Sequence, residues 1–163
     1  MKSYVYHSAT ATAHALIEHL IAMMEREPEK TFYFAFSGGS TPSLMFDIWA
    51  NEYKEVTPWM RMRIYWVDER CVPAEDYESN YGTMRRLLLD EVGIPDEYVY
   101  PIYGVNRPEI EAKNYSTLVC RTVPLWGGFP ASMSFCSVLE TTAYLLYLSG
   151  GRNICFLPFI LMR

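Results

Sequence analysis

The sequence predicts an α/β fold, a mostly parallel sheet flanked by helices, on three observations. Two short, almost wholly apolar runs, Thr31 to Phe36 (TFYFAF) and Met62 to Val67 (MRIYWV), read as strands covered on both faces. Each run ends abruptly, the first at Ser37-Gly38-Gly39 and the second at Asp68-Glu69-Arg70. Apolar residues at helical spacing follow each turn. Strands alternating with helices imply right-handed crossovers, and such sheets bind ligands beyond the carboxyl ends of their strands, where both turns fall.

The elements follow in order. From Thr10 to Glu27, residues Ala13, Leu16, Ile17, Leu20, Ile21 and Met24 recur every three or four positions, the stripe of an amphipathic helix, with Ser8 or Thr10 as its cap. After the first glycine turn, Ser40 or Thr41 is the N-cap candidate and Pro42 a natural first helical residue, with Leu44, Met45, Ile48 and Trp49 on one face. Ser79 to Val92 reads as a further helix with Met84, Leu87, Leu88 and Val92 inward. A third short strand is expected near Tyr98 to Tyr103, after Gly93-Ile94-Pro95.

Composition bounds the class. The chain has 163 residues, 50% of them hydrophobic and 15% aromatic, enough for one domain with a sizeable core and too apolar for disorder. A formal net charge of −5 offers no basic face for nucleic acid, whereas a single bound phosphate needs only a local site. Cys71, Cys120, Cys136 and Cys155 are widely spaced, without the CxxC or Cys/His clustering of a zinc site, and read as free thiols in a reducing compartment. The amino terminus has no uninterrupted apolar stretch and no cleavage pattern. The apolar run from Ile154 to Met162 is far shorter than the ~20 residues that span a bilayer. A cytoplasmic protein with no membrane partner is expected, and its oligomeric state is left open.

Two constellations carry chemistry. In Ser37-Gly38-Gly39-Ser40-Thr41-Pro42, two residues without Cβ let backbone approach a ligand, and the helix start behind them presents free N–H groups and partial positive charge. The hydroxyls of Ser37, Ser40 and Thr41 add donors. An ordinary strand-to-helix turn has the same composition, and no GK[ST] or GxGxxG accompanies it. In the second, Asp68-Glu69-Arg70 at the mouth of a hydrophobic strand is followed by Asp76 and Ser79-Asn80-Tyr81. Arg70 suits a charge-assisted bond to phosphate, and Asp68 or Glu69 suits the ordering of sugar hydroxyls or loops, against the plain alternative of a solvated charge run.

Taken together, SGGSTP after an apolar strand, then WVDERCVP and SNY, resemble 6-phosphogluconolactonases, within the wider group that includes glucosamine-6-phosphate deaminases. The resemblance covers roughly residues 1 to 130 and implies a Rossmann-like fold of the sugar-phosphate isomerase type. The form DER favours the lactonase branch over the deaminases, where the run normally reads DEY. Carried over by the resemblance, Ser37, Gly38, Gly39, Ser40 and Thr41 form the phosphate loop, Arg70 contacts the substrate phosphate, and Asp68, Glu69, Ser79 and Asn80 support the site. The implied reaction opens 6-phospho-glucono-1,5-lactone to 6-phosphogluconate, a step of the pentose phosphate pathway, without metal or cofactor. It needs a general base, stabilisation of the tetrahedral oxyanion and an anchored phosphate. An amino-sugar-phosphate isomerase or deaminase and a non-catalytic sugar-phosphate binder are the alternatives.

The family's base is a histidine in a later motif resembling GxGxDGHxAS, which this sequence lacks. Its histidines are His7, His14 and His19, and the last two fall on the polar side of the first helix, where a solvated role is expected. From residue 131 to 163 the alternation of strand and glycine turn is lost. Back-translated with permitted codons and read in a shifted frame, Ala131 to Tyr144 can spell FDVVLLGVGDDG, and the next residues in the third frame can spell HTSSIFPG. Both halves of the missing motif return in order, which predicts small insertions or deletions in the coding sequence. On that basis the fold is expected to be incomplete at the carboxyl terminus, residues 131 to 163 to be an aberrant tail, and the segment around Leu145, Leu146, Tyr147 and Leu148 to be either a cover for exposed sheet or an aggregation-prone strand.

Overall fold

The computed structural model describes residues 4–123, 142–148 and 154–161. The elements run β1 (Tyr4–Tyr6), α1 (Ala9–Arg26), β2 (Phe32–Phe36), α2 (Ser40–Glu52), β3 (Met62–Trp66), α3 (Asn80–Met84), a π-helical turn (Arg85–Leu89), α4 (Asp90–Val92), β4 (Val99–Tyr100), α5 (Pro108–Thr122), β5 (Thr142–Leu148) and β6 (Ile154–Leu161). The six strands form one sheet in the order β1-β6-β5-β2-β3-β4. The pairs β1/β6, β2/β3 and β3/β4 are parallel, while β5 is antiparallel to both its neighbours, so only β5 runs against the rest. The mostly parallel α/β sheet read from the sequence is the one observed.

Alternation along the strands builds two core layers. Phe32, Phe34 and Phe36 of β2, with Met62, Ile64 and Trp66 of β3, point to one face and are buried there with Leu16, Ile17, Leu20, Ile21 and Met24 of α1 and Met45, Ile48 and Trp49 of α2. Ala35 and Tyr65 point to the other face, where Tyr115, Val119 and Val123 cover them. Helix α5 thus supplies the second layer that a doubly covered strand requires. The Tyr115 hydroxyl also accepts from the Trp66 amide at 2.7 Å and donates to the Tyr100 carbonyl at 3.0 Å, bridging β3 and β4 at the edge of their pairing. Tyr65 stacks on Tyr100, ring centroids 4.7 Å apart.

Several local expectations change in detail. Ser8 is the cap of α1, accepting from the Ala11 amide at 3.1 Å. In α2 the N-cap is Gly39, not Ser40 or Thr41: a φ of 117° at Gly39 turns the chain directly into the helix, so Ser40 is already its first residue and Pro42 its third. Pro42 costs nothing there, because its missing N–H lies among those a helix start leaves free anyway. In the helical run 80–92 the expected inward residues Met84 and Leu88 are buried, but Leu87 and Val92 only partly, and Leu89 is buried instead. The π-helical turn inserts the extra residue that rotates Leu89 inward. The third strand is shorter than expected, only Val99–Tyr100. Residues 131–141, where the aberrant tail was expected to begin, lie outside the described residues; 142–148 and 154–161 join the sheet as β5 and β6.

Candidate functional site

The turns after β2 and β3 meet at the carboxyl edge of the sheet because their strands are parallel neighbours in register, Phe36 beside Trp66. A side-chain tie joins them: the Ser37 hydroxyl donates to Asp68 Oδ1 at 2.6 Å, across 31 residues of sequence. Asn80 closes the arrangement, its Nδ2 donating to the Asp68 carbonyl at 3.0 Å and to Asp68 Oδ2 at 3.1 Å. Gly38 is required by this clip, since a Cβ there would collide with the Asn80 amide group. Ser37 therefore differs from its expected part. Its proton is committed to Asp68 and is not an open donor for a ligand.

Glu69 serves the adjacent helix. Its Oε1 accepts from the amides of Arg70 at 2.7 Å and Asn80 at 2.8 Å, and its Oε2 accepts from the Tyr81 amide at 2.8 Å and the Ser79 hydroxyl at 3.2 Å. Ser79 caps α3 in turn, accepting from the Gly82 amide at 2.9 Å. Two carboxylates at this edge are thus engaged with the protein itself. The structure brings Asp68, Glu69, Ser79 and Asn80 into one hydrogen-bonded network, with Ser79 and Asn80 buried.

What remains open is cationic or donating. The N-cap of α2 carries no side-chain bond, and the first intrahelical bond there comes from the Ser43 amide to the Gly39 carbonyl at 3.1 Å. The amides of Ser40 and Thr41 ahead of it find no partner among the described residues. Free amides at the start of a 13-residue helix, with the dipole's positive end, favour an anion. Arg70, exposed and two residues beyond Asp68, makes no side-chain hydrogen bond or ion pair among the described residues. Ser40 is exposed and Thr41 half-buried.

A match to the family model described as glucosamine-6-phosphate isomerases/6-phosphogluconolactonase extends over residues 7–136. The chain belongs to that family. Among curated relatives, the 6-phosphogluconolactonase of Treponema pallidum is 32% identical over 130 residues, covering 80% of this chain and 53% of the relative. That of Haemophilus influenzae is 39% identical over 93 residues, 56% of this chain and 40% of the relative. A solved structure described as devB protein superposes with a TM-score of 0.73 at 29% identity, covering 79% of this chain and 54% of that one. The chain spans about half the length of the curated relatives it matches.

The three histidines lie on α1 or directly after β1. His7 and His19 are exposed, and His14 is not simply solvated as expected: its Nδ1 pairs with the Tyr53 hydroxyl at 2.8 Å, between α1 and the end of α2. None enters the Ser37–Asp68–Asn80 network. Among the described residues, no group of three His, Cys, Asp or Glu side chains is placed to hold a metal ion. Cys71 and Cys120 are exposed free thiols, while the thiols of Cys136 and Cys155 lie outside the described side chains. No described helix is long and apolar enough to cross a membrane.

Two burial-shifted hydroxyls lie on the far face of the same strands. Burial pushes the Tyr65 hydroxyl up to about 12, opposed by its bond to Thr122. Burial raises Tyr115 as well, against the lowering effect of its bond from the Trp66 amide. Both stay protonated at neutral pH, which keeps the bridge between β3 and β4 neutral.

Proposed function

We propose that this edge binds the phosphate of a sugar phosphate, and that the substrate is 6-phospho-glucono-1,5-lactone, opened to 6-phosphogluconate in the pentose phosphate pathway. The observation that carries the reading is the tie between Ser37 and Asp68, which holds the free amides at the start of α2 and the unpaired Arg70 at one edge. The backbone N–H groups and the Arg70 guanidinium would take the phosphate oxygens, with Ser40 and Thr41 adding hydroxyls beside them. Asp68, Glu69, Ser79 and Asn80 act on the protein rather than on the ligand. Anchoring the phosphate holds the lactone carbonyl in place, so that attack by an activated water proceeds without a costly loss of freedom. Family membership and the sequence likeness to 6-phosphogluconolactonases support this choice over an amino-sugar-phosphate isomerase. Small-molecule handling without membrane contact accords with a cytoplasmic setting.

A second reading, of a sugar-phosphate binder without turnover, rests on a specific observation: no described histidine hydrogen-bonds into the Ser37–Asp68–Asn80 network. Under it, the coding sequence downstream of Pro130 carries the insertions or deletions that back-translation suggests, and restoring the frame returns the base. Coupled lactone hydrolysis together with titration of 6-phosphogluconate decides. Turnover well above spontaneous hydrolysis supports the enzyme, binding without turnover supports the binder, and the absence of both overturns the site.

A further inference from the structure

Helix α5 carries a carboxylate that no part of the phosphate-binding reading uses. Glu111 is only 6% exposed, and among the described residues it pairs with no cation. Its Oε1 accepts from the Tyr103 amide at 3.0 Å and its Oε2 from Asn106 Nδ2 at 2.7 Å. The turn between those two residues is closed by the Asn106 amide donating to the Tyr103 carbonyl at 3.1 Å. Glu111 therefore grips both ends of one four-residue turn. A charged side chain kept nine-tenths buried on two hydrogen bonds is an expensive way to gain stability, and its value lies in the geometry it imposes.

That turn leans on the site. Gly104, inside it, sits so close to the segment after β3 that an added Cβ would strike the carbonyl oxygens of Arg70 and Val72. The segment is itself folded tightly, the Val72 amide donating to the Arg70 carbonyl at 2.8 Å. On its other side Glu69 holds the Arg70 amide. The backbone of Arg70 is thus clasped from two directions, by Glu69 within the site and by a turn whose shape Glu111 sets.

We propose that Glu111 is a positioning residue for Arg70, acting through the Tyr103–Asn106 turn and the contact of Gly104 with the Arg70–Val72 backbone. The inference rests on the reading of Arg70 as a phosphate ligand and adds to it the element that aims that ligand. It also explains why position 104 must lack a side chain.

The test titrates 6-phosphogluconate into the full chain by calorimetry. Glu111→Ala weakens binding by roughly tenfold, the size expected when a contact network is uncoupled. Glu111→Gln recovers most of that, since one oxygen still accepts from Tyr103 and the amide can donate to a flipped Asn106. Gly104→Ala reproduces the loss with Glu111 intact. In an Arg70→Ala background, Glu111→Ala has no further effect, which a general loss of structure would not mimic. Met24→Ala, a core change remote from the turn, lowers stability and leaves affinity unchanged. No binding by the unaltered chain overturns the phosphate site itself. Binding that survives both Glu111→Ala and Gly104→Ala, or a Glu111→Ala loss that persists without Arg70, overturns this inference alone. Should Glu111→Ala fail to fold, Gly104→Ala decides.

Discussion

Replacing Glu69 by glutamine tests the network at its most heavily used atom pair. The carboxylate takes four donors, two on each oxygen: the Arg70 and Asn80 amides on one, the Tyr81 amide and Ser79 hydroxyl on the other. Glutamine keeps one acceptor and turns the other into a donor, so an NH₂ group faces either the Arg70 and Asn80 amides or the Tyr81 amide, and at least one backbone N–H loses its partner. A hydrogen bond to a charged acceptor contributes about 1.5–3 kcal/mol, and the favourable charge at the helix start about 0.3–1 kcal/mol more. Glu69 is half-buried, so water replaces part of what is lost, and the net cost is expected to be about 2 kcal/mol. In a domain of this size that lowers the melting temperature by roughly 4–8 °C. Urea denaturation should show an earlier midpoint at an unchanged slope, and hydrogen exchange should speed up at the Asn80 and Tyr81 amides before it does in β2 or β3. A loss below about 0.5 kcal/mol, the range of an ordinary surface change, with unaltered exchange at those two amides, would refute the assignment of Glu69 as the tie between the β3 turn and α3.

Gly38→Ala forces the Asn80 side chain off Asp68 and should cost about 1–3 kcal/mol with a matching loss of 6-phosphogluconate affinity; thermal unfolding and titration check both. Met24→Ala, at a side chain with no exposure, should cost about 2–5 kcal/mol in urea denaturation. Tyr65 makes stability depend on alkaline pH. Below pH ~10 the folded and unfolded chains both hold its proton and stability is intact; above that the unfolded chain ionises first, and stability falls by up to about 2–3 kcal/mol until the native hydroxyl ionises near 12. Tyr65→Phe should reduce the slope of that fall and leave the part due to Tyr115, whose hydroxyl burial also raises, as read from denaturation at a series of pH values.

How much was legible follows from the range of the forces involved. The stripe of α1 from Ala13 to Met24 and the apolar runs of β2 and β3 are local patterns, and each became the element it implied. The candidate residues of the two turns were visible as motifs, because glycines before a helix start and charges ending a buried strand are rare next to one another. Helix α5 was missed. Its signals were present, Pro108 at the start, Glu109 and Glu111 in the first turn and Tyr115 and Val119 one turn apart, but its buried face is narrow and reads as a stripe only once the sheet offers a second face to cover. Glu111 was invisible for the same reason, since nothing around it in the chain foretells burial.

By itself, then, the amino-acid order determined which segments alternate as strand and helix and which turns hold candidate ligands, because those depend on neighbours within a few residues. The tertiary structure alone decided the partners. It placed Ser37 against Asp68 across 31 residues, spent the Ser37 proton on that contact, made Gly39 rather than Ser40 the start of α2, and set Gly104 against Arg70. Hydrogen bonds and steric contacts of that kind are set by where two distant strands come to lie side by side, and no local pattern carries that information.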